Sequence, residues 1–160
     1  MYNHADENYV CPFCLLVGKV EDVHVHSARE DIIYQDVEVT AFLSAHQWPN
    51  NRGHVIIVPN EHFENIYDLP LHLATCIQGL AKAVALAMKI AYRCEGITIR
   101  QNNEPAGDQD LWHYHLHVFP RYRGDRFNSS QKELMDPLER AGYAQRLRSV
   151  LATGRPDHQL

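Results

Sequence analysis

The 160-residue chain is short of features that set a protein's class at a glance. Its opening MYNHADENYV has no basic region leading into an apolar run, so no signal peptide is read there, and no later stretch is read as reaching the length of a membrane span. The expected location is therefore the cytoplasm. Basic charge is also scarce: 15 Lys and Arg against 20 Asp and Glu give a formal net charge of −5. Such a chain has no general attraction for nucleic acid or anionic lipid, so a polyanionic ligand must be a small one held by a local site. Cysteines number four, and Cys76 and Cys94 fall in a stretch read as helix. Eighteen residues of helix separate them by about 27 Å, beyond disulfide reach. No internal repeat or low-complexity segment is present, and 45% hydrophobic with 22% charged residues suits one globular domain.

What the chain does have is histidine, 11 in all, and three of them stand together in WHYHLHVFPR, Trp112 to Arg121. His113, His115 and His117 alternate with Tyr114, Leu116 and Val118, the period of a half-buried strand. At a rise of about 3.3 Å per residue, neighbouring imidazoles stand roughly 6.6 Å apart, a spacing that surrounds a phosphate or a metal. Near the start, Cys11 and Cys14 form a CxxC in YVCPFCLL. In a reducing compartment the pair fits either a redox dithiol or half of a zinc site. The redox form usually follows a strand, and no strand signal precedes it here.

The rest of the chain alternates between sheet and helix signals. Ile32–Tyr34, a turn near Gln35 and Asp36, and Val37–Leu43 predict a hairpin. After a Pro49–Gly53 loop, Val55–Val58 predicts a central strand ended by Pro59, with His54 at its entry. His54, like His46 and His62 taken singly, is read as a structural, hydrogen-bonded residue. From Asp68 to about Glu95, Leu73, Ile77, Leu80, Val84, Ala87 and Ala91 predict a long helix with Asp68 as N-cap and Gly96 just past its end. Ile97–Arg100 predicts a strand, and the polar turn from Gln101 to Leu111 leads into the histidine strand. Beyond it, Arg121, Arg123 and Arg126 are read as a solvated loop rather than a phosphate site. Asp136 and Pro137 open a last helix to about Thr153, stopped by Gly154 and Pro156.

HYHLHVFPR, with Asn102, Asn103 and Gln109 before it, RGHVIIVPNEHFENIYDL and the early CPFC together resemble the histidine triad (HIT) family. The likeness runs from about Cys11 to Arg121. It implies an α+β fold, an antiparallel sheet of about five strands carrying one long helix, with the C-terminal helix added. A single HIT domain would fill residues 1–160, with its core at about 9–121 and a C-terminal loop and helix at 122–153. Members commonly form homodimers that extend the sheet.

The same resemblance implies the chemistry. His115 would attack the α-phosphorus of a nucleotide conjugate, a dinucleoside polyphosphate or nucleoside phosphoramidate, and pass the nucleotidyl group to water or another acceptor. His117, Gln109 and Asn102 would hold the phosphate oxygens, and His117 would also protonate the leaving group. Cys11, Cys14, His62 and His113 would bind a structural zinc with no open position. Phe13 and Phe42 are candidates to sandwich the base and equally candidates for core. Two positions depart from the pattern: Asp108-Gln109-Asp110 replaces Gly-Gln-Ser/Thr, and Ser44 replaces an acid that binds ribose. A phosphorylase using phosphate as acceptor, a zinc-stapled nucleotide-binding module with little catalysis, and a metal-free redox protein are the alternatives.

Overall fold

A computed structural model describes residues 2–153, so the expected stop at Gly154 and Pro156 lies outside the described residues. A short helix, α1 (Pro12–Val17), precedes strands β1 (Ile32–Gln35), β2 (Val39–Leu43), β3 (His46–Gln47) and β4 (Val55–Pro59). The long helix α2 (Leu71–Ala91) leads into β5 (Gly96–Gln101), β6 (Leu116–Arg121), β7 (Glu133–Leu134) and α3 (Pro137–Thr153). Five strands form an antiparallel sheet in the order β1-β2-β4-β6-β5, and β3 and β7 pair separately. The α+β fold expected from the sequence, with its long helix and C-terminal helix, is the fold observed.

Both faces of the sheet are covered. Val39, Ala41 and Leu43 of β2, Val55 and Ile57 of β4, and Leu116 and Val118 of β6 pack with Ile77, Ala81, Val84 and Met88 of α2 and Leu147 of α3. On the other face Phe42, Ile56 and Val58 meet Cys11, Phe13 and Leu16. That is why β2 and β4 are buried along their whole length rather than alternately. Val37, expected in the strand, instead lies in the turn and is 93% exposed.

The ends of α2 differ from the sequence reading. Pro70, not Asp68, is the N-cap and makes no side-chain cap bond, while Tyr92 is the C-cap and Arg93 takes a left-handed φ of 53°. Gly96 opens β5 instead, because the chain must reverse early to reach the sheet edge. At 21 residues α2 has the length and composition of a membrane span, contrary to the sequence reading. Its inward stripe is nevertheless spent on the sheet, as in the core helix of a folded domain.

The C-terminal segment is tied across the molecule. Met135 N–H donates to Ala45 O at 3.0 Å, and β7 pairs with β3 through Leu134↔His46 and Glu133↔Gln47. The Arg140 guanidinium, 2% exposed, donates from Nε to Asp31 Oδ2 at 2.7 Å and from its Nη atoms to Met135 O and His26 O at 3.2 Å each. Arg121 is likewise structural rather than free: it donates to both carboxylate oxygens of buried Asp125 and to Thr98 Oγ1. Replacing one member of the Arg140–Asp31 pair strands the other charge. Arg140→Ala is therefore expected to lose about 3–5 kcal/mol in urea unfolding, and the double variant Arg140→Met with Asp31→Leu much less.

Candidate functional site

The sheet register decides which side chains meet. β4 and β6 pair antiparallel with Val55 opposite Val118 and Ile56 opposite His117, and β5 sets Arg100 opposite His117. His54, one residue before β4, consequently stacks on Phe119 with ring centroids 4.1 Å apart. The loop carrying it is fixed by buried Gln47, whose Oε1 accepts from Gly53 N and His54 N and whose Nε2 donates to Ser44 O and His54 O. Gly53 has φ of 104°, and a Cβ there would stand 2.4 Å from the Tyr92 ring, so only glycine fits.

The regular strand begins only at Leu116, so His113 and His115 lie in the irregular approach to it. That break divides the triad between two jobs. The His113 ring turns toward the cysteines. Its Nε2–H donates to Pro59 O at 3.0 Å, leaving Nδ1 bare at 3.2 Å from Cys11 Sγ and 3.5 Å from Cys14 Sγ. His62 Nδ1 stands 3.3 Å from Cys14 Sγ. The four donor atoms lie within 4.8 Å of one another. A tetrahedral ion with bonds of about 2.0–2.3 Å needs ligands roughly 3.3–3.8 Å apart, so this Cys2His2 set fits such an ion with small closure. One of the two thiols is prepared for it. Cys11 is pushed well below its ordinary value, first by the Cys14 thiol donating to it, while Cys14 is pushed up by the same bond. Cys11 also caps α1, accepting from Cys14 N at 3.4 Å.

The other two imidazoles face a cavity of about 780 Å³. His115 is 2% exposed and its Nδ1–H donates to His113 O at 2.7 Å, which leaves the Nε2 lone pair toward the cavity. Burial lowers its pKa, so the ring is neutral. A second chain of bonds fixes His117. His54 Nδ1–H donates to His46 O at 3.3 Å, so His54 Nε2 accepts from His117 Nδ1–H at 2.9 Å. Burial drives His54 down to about 3 and His117 well below its ordinary value. His54 is thus part of the site and not merely structural. The signal available was a Gly-His entering an apolar strand that neighbours the histidine strand.

The other sequence-predicted residues divide. Asn102 and Ser44 line the cavity, with Asn102 Nδ2 donating to Asp108 O at 3.0 Å and Ser44 Oγ accepting from His46 N at 3.3 Å. Phe13 and Phe42 line it too, but their ring centroids are 5.5 Å apart, which makes them one packed wall and leaves no gap for a base between them. Gln109 is not brought to the cavity. Its Nε2 donates to Glu64 O and Leu111 O and its Oε1 accepts from Glu104 N, so the side chain is consumed in holding the turn. Trp48, Arg100 and Lys132, which the sequence reading passed over, also line the cavity.

Comparison with known proteins agrees with this arrangement. The family model described as HIT domain matches residues 25–124. A HIT-like protein of Methanocaldococcus jannaschii is 32% identical over 118 residues, 72% of this chain and 82% of that one. A zinc-bound histidine triad family protein of Mycobacterium smegmatis superposes with a TM-score of 0.74 at 27% identity, covering 89% of this chain and 94% of that one. A diadenosine triphosphate hydrolase of Plasmodium falciparum shares the fold alone, with a TM-score of 0.69 at 13% identity over 96% of this chain and 90% of that one. By the family model over most of its length and by identity to relatives across most of theirs, the chain belongs to the HIT domain family.

Proposed function

We propose that this protein is a nucleotide hydrolase or nucleotidyl transferase that cleaves at the α-phosphate of a nucleotide conjugate through a covalent nucleotidyl-histidine on His115. The observation that carries the reading is the fixed tautomer of His115: Nδ1–H is held by the His113 carbonyl and a neutral, bare Nε2 faces the cavity. Nε2 forms a bond to the α-phosphorus as the bond from phosphorus to the leaving oxygen or nitrogen breaks. Water, or phosphate in the phosphorylase version, then displaces His115.

His117 is a second catalytic group. Its Nε2 is an acceptor, because its Nδ1–H is committed to His54. An anionic phosphate beside it favours the imidazolium, which then holds a non-bridging oxygen and passes the proton to the leaving group. Asn102 and Ser44 contribute to binding, and the wall of Phe13 and Phe42 borders the nucleoside. Gln109 acts by shaping the turn. Zinc, the ion of the Mycobacterium smegmatis relative, suits Cys11, Cys14, His62 and His113. Held by these four protein ligands it would be structural, and it would fix His113 and through it the His115 ring.

The domain spans the chain, with residues 9–121 as core and 122–153 as C-terminal loop and helix, and its setting is cytoplasmic. A homodimer is supported by apolar side chains left outside: Leu86 and Ile90 of α2 are 45% and 68% exposed, and Ile99 on edge strand β5 is 42% exposed. Two edge strands placed side by side would continue the sheet.

Steady-state kinetics on diadenosine triphosphate, diadenosine tetraphosphate and an adenosine phosphoramidate tests the reaction. Wild type should turn over at least one of them, and His115→Ala and His115→Gly should each lower kcat by roughly 10⁴-fold or more. Activity that survives loss of His115 overturns the mechanism. Elemental analysis should find one zinc per chain in wild type and none in Cys11→Ser, and chelation should lower the unfolding temperature. Reversible disulfide cycling of Cys11 and Cys14 without metal would favour a redox protein instead.

A further inference from the structure

Lys132 lies beyond residues 25–124, the span that the family model matches, yet its side chain reaches the cavity beside the triad. It is delivered there rather than loosely waving. Phe127, upstream, is buried against Trp48 and Phe119 with ring centroids 5.2 and 4.8 Å away. Immediately downstream, β7 pairs with β3, Arg52 bonds Glu133, and Met135 is 2% exposed. Both ends of the segment carrying Lys132 are therefore fastened, and the lysine between them lines the cavity.

There it meets Asp110, the residue that stands where a hydroxyl would suit a phosphate cradle. Asp110 Oδ2 accepts from Lys132 Nζ at 3.0 Å, while Asp110 Oδ1 lies 4.0 Å from His115 Nε2. One carboxylate thus spans the distance between the ammonium and the bare imidazole nitrogen. A phosphoryl group, which also presents two anionic oxygens on one central atom, has the shape and charge to take that place. Arg100 is the other cation of the cavity lining, and it is drawn over the Trp48 and Phe119 rings at 6.0 and 5.4 Å. In a chain of net charge −5, Lys132 is the cation placed to meet an anion at His115.

We propose that Lys132 is a phosphate-binding residue of this site, and that the Asp110 carboxylate, which bonds Lys132 and lies beside His115, marks the position that the phosphate takes and gives way to it. The proposal rests on the nucleotide reading given above. It also assigns Asp110 a use: the carboxylate is an internal stand-in for the ligand, swinging outward when the phosphate binds. Its side chain is 60% exposed, so water can receive it.

Equilibrium titration with AMP, GMP, adenosine and guanosine tests this without requiring turnover. Lys132→Ala should weaken binding of the preferred monophosphate about tenfold or more and leave its nucleoside unchanged. Lys132→Arg should restore most of the loss, and Asp110→Asn should tighten the monophosphate by removing the competing anion. Added salt should weaken wild type more steeply than Lys132→Ala. Equal monophosphate affinity in wild type and Lys132→Ala overturns the proposal, as does equal loss for nucleoside and monophosphate. So does weaker binding in Asp110→Asn. Wild type that binds no monophosphate overturns both this and the nucleotide reading, whereas Lys132-dependent binding without turnover upholds Lys132 and overturns only the reaction.

Discussion

Most of the site depends on what His113 does with its ring and its carbonyl. The ring, oriented by Pro59 O, gives a bare nitrogen to two sulfurs and belongs to the Cys2His2 set. The carbonyl of the same residue accepts from His115 Nδ1 at 2.7 Å. One residue therefore couples the N-terminal CxxC to the nitrogen proposed to attack. Because a strand would point successive imidazoles at the same side with even spacing, this coupling is possible only where the strand has not yet begun. The irregular stretch before Leu116 is in that sense a functional feature.

On the other side of His115 the constraint passes through the sheet. β4 pairs with β6 and places His54 against His117, whose tautomer is then set by the His46 carbonyl at the far end of the chain of bonds. The His46 segment is in turn paired with β7, the segment that brings Lys132 to the cavity. Anchoring from the Cys2His2 side and from the C-terminal segment thus converges on neighbouring imidazoles whose ring centroids are 4.7 Å apart. Burial lowers the pKa of all three cavity-side rings, His54, His115 and His117, which preserves their acceptor nitrogens.

Much of the fold could be read in the residues because the periodicities are strong. The apolar run before Pro59 is the middle strand of the five, and Leu73, Ile77, Val84 and Ala87 of the predicted repeat are buried along α2, with Leu80 and Ala91 partly so. The four candidate metal donors followed from resemblance, and their ligand atoms lie within 4.8 Å of one another. What escaped was set by tertiary contacts. β3 and β7 are two residues each, too short for a periodic signal, so the delivery of Lys132 was invisible and the basic segment read as solvated loop. His54 looked like an ordinary strand-entry residue because its partner lies 63 positions away. Gln109 matched a motif position, yet the turn it closes took both its amide donors and bonds its oxygen. The C-terminal end of α2 shifted because Arg93, rather than glycine, adopted the left-handed turn.

The claim on which the account stands is that His115 keeps its proton on Nδ1 and its lone pair on Nε2. Long-range proton–nitrogen correlation spectra of ¹⁵N-histidine-labelled, zinc-loaded protein at neutral pH, with His115 assigned by its absence in His115→Ala, read this directly. The account predicts a neutral ring with protonated Nδ1 and bare Nε2. A proton on Nε2, or an imidazolium at neutral pH, would contradict it.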